Sequence, residues 1–192
     1  MNTNVKQASK ANTYSLKNFS ILLVEDFEFL QQLIVGMLRA FGVGNIIVCS
    51  SGEEAQGLLS VMASTKSNDV RMVDIVLVDW MMPEGNGEQL MKWVRNHKSD
   101  KVKFMPMVLL SSFASETVVR AARDFGANEA LVKPVSGEKM AMRILSVIDH
   151  PRPYIKAPGF FGPDRRRKEM MWKKEERRKM EPERIKVNNE QL

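Results

Sequence analysis

Five residues stand at the ends of short apolar runs, and their types suggest one chemistry. Glu25 and Asp26 follow residues 19–24 (FSILLV), and Asp79 follows residues 73–78 (VDIVLV). Ser111 follows residues 104–110, and Lys133 closes residues 129–132. Three carboxylates brought together repel. At ~4 Å and an effective dielectric constant of ~20, each pair costs roughly 4 kcal/mol. A hard divalent cation offsets that repulsion. Mg2+ fits best, because it combines one or two carboxylates with phosphate oxygens and keeps several waters. A carboxylate beside Mg2+ and a lysine can attack a phosphoryl group. The cation and the ammonium then neutralise charge on the equatorial oxygens, and a serine hydroxyl can donate to one of them.

Taken singly, each residue has a plainer explanation. A strand-terminal Asp caps the following loop, and an acid pair can start a helix near its positive end. A serine often marks a turn, and a lysine is usually a solvated charge. What favours the chemical reading is their recurrence at successive strand ends.

The elements that must position them follow from periodicity. Apolar runs rich in Val and Ile, bounded by turn signals, predict strands at 19–24, 46–49, 73–79, 104–110 and 129–132. Between them, apolar residues at helical spacing predict helices over 27–41, 51–62, 89–97, 115–125 and 136–148. Five strand–helix alternations with short connections imply a doubly wound parallel sheet with helices on both faces. Ligands bind such sheets in the crevice outside the carboxyl ends of the strands, where these five residues lie. The first strand passes into its helix through VEDFEF without a G-x-G-x-x-G turn, which disfavours a dinucleotide.

Composition sets the frame. The 192 residues carry a net charge of +6, but unevenly. Residues 1–150 hold 16 Lys+Arg against 16 Asp+Glu, whereas residues 151–192 hold 13 against 7. A neutral folded domain with a basic appendage is expected. Cys49 is the sole cysteine, so no internal disulfide forms. No apolar run approaches the ~20 residues of a membrane helix, and residues 1–18 lack an apolar signal core. A cytoplasmic protein is the expectation.

The motifs ILLVED, VDIVLVDWMMPEGNG, MVLLSS and LVKP together resemble the receiver domain of two-component response regulators, over about residues 19–149. The resemblance implies a flavodoxin-like five-stranded fold. It implies that Asp79 accepts a phosphoryl group from a histidine kinase or a phosphotransfer protein. It implies Mg2+ held by Asp26, Asp79 and the backbone carbonyl of Met81, with Glu25 acting through water. Ser111 takes the family's switch role, Lys133 pairs with the phosphoryl group, and the Lys133–Pro134 peptide is cis. Such a protein is a switch with self-phosphorylation and self-dephosphorylation chemistry only, and not a conventional enzyme. A phosphatase of the haloacid type would need a second Asp where Met81 stands.

The sequence departs from the family in places. Glu25 replaces the commoner Asp. Ala130 stands where many members carry Tyr or Phe, so an aromatic swing coupled to Ser111 is not available. Met81 and Phe113 flank the phosphoryl site with Ser112, and their bulk is expected to slow hydrolysis.

The expected organisation is a loose tail over 1–18, the receiver over 19–150 and a basic extension over 151–192, read as a linker followed by a helix near 165–181. Tyr154, Phe160 and Phe161 are apolar enough to dock back on a surface. GFFGPDRRR is similar to an extension found after some single-domain receivers. The run from Arg165 to Lys168 could touch nucleic-acid phosphates, which leaves a receiver-regulated nucleic-acid-binding protein as the alternative to a protein-reading switch. A solvated charged helix explains that run more simply, because no reader fold accompanies it.

Overall fold

The structure, a computed structural model, describes residues 15–65, 71–83, 87–112, 116–165 and 183–185. Five parallel strands form the central sheet: β1 (Ser20–Val24), β2 (Asn45–Cys49), β3 (Ile75–Asp79), β4 (Met107–Ser111) and β5 (Glu129–Val132). Their order is β2-β1-β3-β4-β5. The helices between and after them are α1 (Glu28–Ala40), α2 (Gly52–Ser64), α3 (Gly87–Asn96), α4 (Asp100–Lys103), α5 (Glu116–Asp124) and α6 (Gly137–Asp149). The flavodoxin-like expectation holds. The single turn α4 escaped the sequence reading because one turn carries no periodicity.

Each strand feeds two cores. In β1, Leu22 and Val24 face a layer with Ala55, Leu59, Leu90, Met91, Val94 and Ala122, from α2, α3 and α5. Ile21 and Leu23 face Ile34, Leu38, Met140 and Ile144, from α1 and α6. The central strands β1, β3 and β4 are buried at every position. That is why they read as continuous apolar runs and not as alternations. Fully burying each of these aliphatic side chains contributes about 1.5–3 kcal/mol, so the sheet is the rigid part of the molecule.

Polar groups secure the amino end of the sheet. Asp74 is buried, accepts from Ser20 N at 2.8 Å and pairs with Arg71 at 3.1 Å. Glu129 is buried at the start of β5 and pairs with Arg143 (3.2 Å) and Arg152 (2.7 Å). Arg95, on the inner face of α3, is buried without a carboxylate partner among the described residues. It donates to Gly126 O (3.0 and 2.7 Å), Lys103 O (2.7 Å), Met105 O (2.8 Å) and Asn128 Oδ1 (3.3 Å). The sequence reading placed no charge here.

Both chain ends differ from expectation. Leu16 is buried within a short 3-10 turn (Leu16–Asn18) and packs into the core, so residues 15–18 are not loose. Residues 1–14 lie outside the described residues. Where the sequence reads a linker, β6 (Tyr154–Ala157) and β7 (Phe160–Pro163) form an antiparallel hairpin. Pro158 and Gly159 make its two-residue turn, with Gly159 at φ +74°, and Pro-Gly at those positions is a type II signature. β8 (Glu183–Ile185) pairs antiparallel with β6. The expected docking of Tyr154 and Phe161 is observed. Their rings gather on Phe104 at 4.9 and 5.1 Å. Tyr154 Oη donates to Phe104 O at 2.8 Å. The helix expected near 165–181, and with it Arg166, Arg167 and Lys168, lies almost wholly outside the described residues. Arg165 pairs with Asp124 at 2.8 Å and stacks 4.0 Å from the centre of the Phe160 ring.

Candidate functional site

Strand register brings the site together. Val24 of β1 lies opposite Val78 of β3, so the next residues, Glu25 and Asp79, emerge side by side. Asp79 lies opposite Leu110 of β4, and Ser111 lies opposite Val132 of β5. One step further along β5 is Lys133, whose N–H donates to Ser111 O at 2.7 Å. Four adjacent strands thus deliver Glu25, Asp79, Ser111 and Lys133 to one end of the sheet. Asp26, next to Glu25, is exposed above them.

The carboxylates converge. One oxygen each from Glu25, Asp26 and Asp79 lies within 4.8 Å of the others. Among the described residues a single ammonium answers them. Lys133 Nζ sits 2.6 Å from Glu25 Oε2 and 3.0 Å from Asp79 Oδ2. Three negative charges against one positive leave the cluster electrostatically incomplete. The other oxygen, Asp79 Oδ1, is buried and has no hydrogen-bond partner among the described residues. A buried acceptor left unsatisfied costs about 1–3 kcal/mol, more when charged. Burial pushes the Glu25 carboxyl above its ordinary 4.5; Lys133 pulls it back, and the Asp79 charge adds to the rise. The donor set is hard oxygen, and one buried oxygen of Asp79 has no partner among the described residues. Both fit a small divalent cation.

The surroundings are ordered by close backbone packing. The chain after Asp79 folds back so that a Cβ on Gly87 would stand 2.2 Å from the Asp79 carbonyl oxygen. Gly87 N donates to Trp80 O at 3.2 Å. Only glycine permits that approach. Ser111 is buried and Ser112 exposed. Met81, 57% exposed, lies at the surface two residues beyond Asp79. Phe113 lies outside the described residues. The Lys133–Pro134 peptide is cis. Ala130 is partly buried against the core with no ring in its place.

Two features escaped the sequence reading. One is the direct Lys133–Glu25 pair, shorter than the Lys133–Asp79 contact. The other is the contact of Trp80 with Phe125, ring centres 5.7 Å apart, which links the residue after Asp79 to the end of α5. No spacing within the sequence signals either, because each joins segments about 45 residues or more apart.

Comparison with known proteins agrees with this geometry. The model of the response regulator receiver domain matches residues 21–145. A chemotaxis protein CheY homolog of Campylobacter jejuni is 30% identical over 128 residues, covering 67% of this chain and 91% of that protein. The chemotaxis protein CheY-3 of Vibrio cholerae is 26% identical over 133 residues, covering 69% and 94%. Among solved structures, chemotaxis protein CheY4 of Vibrio cholerae superimposes with a TM-score of 0.57 at 24% identity, covering 67% and 98%. That last likeness concerns the fold alone. Among the described residues no helix is long and apolar enough to cross a membrane.

Proposed function

This chain belongs to the response regulator receiver family, and from that premise we propose that it is a two-component signalling switch in which Asp79 accepts a phosphoryl group. One observation carries the reading: Asp79 is buried at the strand end with Oδ2 held by Lys133 and Oδ1 without a partner among the described residues. An oxygen without a partner keeps its lone pairs for an incoming electrophile.

The donor is a phosphohistidine of a histidine kinase or phosphotransfer protein. An Asp79 oxygen forms a bond to phosphorus as the donor P–N bond breaks, and the leaving nitrogen keeps the electron pair. Lys133 is already on hand to neutralise the phosphoryl oxygens, since Glu25 and Asp79 hold its ammonium in place. Ser111, one strand over, donates its hydroxyl to one of those oxygens. Asp26, Asp79 and the Met81 carbonyl would hold Mg2+, with Glu25 acting through water. When bound, that ion supplies further neutralisation of phosphoryl charge. Met81 and Phe113 screen the acyl phosphate from water, with Ser112 beside them. Output passes through contacts with a downstream protein, by a shift between two conformations of the domain.

Intact-mass measurement with acetyl phosphate and Mg2+ tests the reading. A single adduct of about 80 Da, one phosphoryl group, is expected on the wild type and none on Asp79→Asn. An adduct that persists in Asp79→Asn would sink the assignment.

A further inference from the structure

The hairpin β6–β7 occupies a place from which it can oppose the switch. It does not rest on an arbitrary surface. A Cβ on Gly162 would stand 2.9 Å from Gly126 Cα, so the two glycines pack backbone to backbone. Gly126 ends α5 in the left-handed region, at φ +84°. Its carbonyl is held twice by Arg95, whose guanidinium carbon lies 5.2 Å from the centre of the Tyr154 ring. Arg165, just beyond β7, ties down Asp124 in the last turn of α5 at 2.8 Å. The hairpin therefore grips the carboxyl end of α5 from three sides.

Both ends of α5 answer to the site. Its first residue, Glu116, follows Ser111 by five residues. Its far end is touched by Trp80, the neighbour of Asp79, through Phe125. A path of direct contacts thus runs from Asp79 to Trp80, Phe125, Gly126 and Gly162. Ala130 removes the aromatic swing by which many relatives pass on the signal, and the contacts of Phe125, Asp124 and Gly126 make the end of α5 a contiguous link between site and extension.

We propose that the C-terminal hairpin is an intramolecular brake, docked on α5 in the unphosphorylated form and loosened when Asp79 is phosphorylated. The inference rests on the phosphoacceptor role of Asp79. The contacts to Asp124 and Gly126 match the position of α5 seen here. A phosphoryl group on Asp79 that shifts Trp80 moves Phe125 against it, and with Phe125 the neighbouring Asp124 and Gly126, so those contacts loosen. Linkage makes the effect reciprocal: whatever weakens the hairpin favours the phosphorylated state. Release would free the hairpin for a partner only when the switch is on.

Hydrogen exchange on the full chain reads the coupling. With acetyl phosphate and Mg2+, amides of residues 154–157 and 160–162 should exchange about fivefold faster or more, with no change in Asp79→Asn. In the reverse direction, Arg165→Ala and Gly162→Ala should raise the phosphorylated fraction at limiting donor about two- to fivefold. Arg165→Ala removes a half-exposed ion pair and the stacking on Phe160 but no buried group, so it remains informative if Gly162→Ala fails to fold. Full adduct formation with unchanged hairpin exchange, or unchanged occupancy in Arg165→Ala, would overturn the brake while leaving the phosphoacceptor intact. Absence of any adduct would remove both.

Discussion

Replacing Lys133 by Met deletes the only cation among the described residues in contact with Glu25 and Asp79. The side chain is 11% exposed, and its partners Glu25 and Asp79 are 1% and 6% exposed at the side chain. Two unit-charge attractions at ~4 Å and an effective dielectric constant of ~20 are worth about 4 kcal/mol each. Returning the ammonium's desolvation offsets several kcal/mol of that sum. The net loss is then about 3–5 kcal/mol, the range for breaking a buried pair from one side. It is also a large fraction of the ~5–15 kcal/mol that holds a typical domain together. Urea unfolding at pH 7.5 without divalent cations measures it. The loss should shrink as pH falls. Glu25 has a folded pKa above its ordinary 4.5, because burial outweighs the help from Lys133. Between 4.5 and that raised value the folded state binds more protons than the unfolded one, so stability falls as pH rises. Removing Lys133 raises the Glu25 pKa further and widens that window. The double variant Lys133→Met with Asp79→Asn should recover at least half of the loss, because one of the two stranded charges is gone. A loss below about 1 kcal/mol at pH 7.5, or none recovered in the double variant, would mean that the acids are not electrostatically coupled as their geometry indicates.

Three further outcomes are expected. Gly87→Ala should lower stability by about 1–3 kcal/mol, the usual cost of overpacking, and slow phosphorylation, because its Cβ would meet the Asp79 carbonyl oxygen at 2.2 Å; thermal melts and adduct formation report both. The Cys49 thiol, 2% exposed and pushed up to about 11 by burial, should react with an aromatic disulfide at pH 8 about a hundredfold more slowly than a free thiol of ordinary pKa; the stability it contributes is lost as pH rises from 9.0 through about 11. Met81→Asn should shorten the phosphoryl lifetime several-fold from a wild-type value of minutes or longer, as read by decay of the adduct after donor removal.

The sheet was legible because its strands are buried on both faces and its helices carry one apolar face each. Ile21, Leu22, Leu23 and Val24 say strand by type and by the turn residues that bound them. Glu25, Asp79 and Lys133 could be nominated because parallel strands must end at one edge, whatever lies between them. Arg95 could not. A charge at the end of a helix reads as solvent-facing, and its acceptors are main-chain oxygens of residues whose side chains reveal nothing. The hairpin was hidden differently. Pro158 and Gly159 suit a linker, although the same pair between Tyr154-Ile155 and Phe160-Phe161 is also a two-residue turn. Choosing between those readings needs the aromatic shelf at Phe104, which sequence proximity does not supply.

Arg95 has a consequence for how the molecule can diversify. Its acceptors are the carbonyls of Lys103, Met105 and Gly126 and the amide of Asn128. A fastener of this kind recognises the course of the chain and is indifferent to the side chains it passes. It does not weaken in acid, since it relies on no carboxylate. As far as this fastener is concerned, residue 103 is open to substitution while the backbone keeps its path, Met105 answers only to the core it packs into, and 95, 126 and 128 must change in concert or not at all.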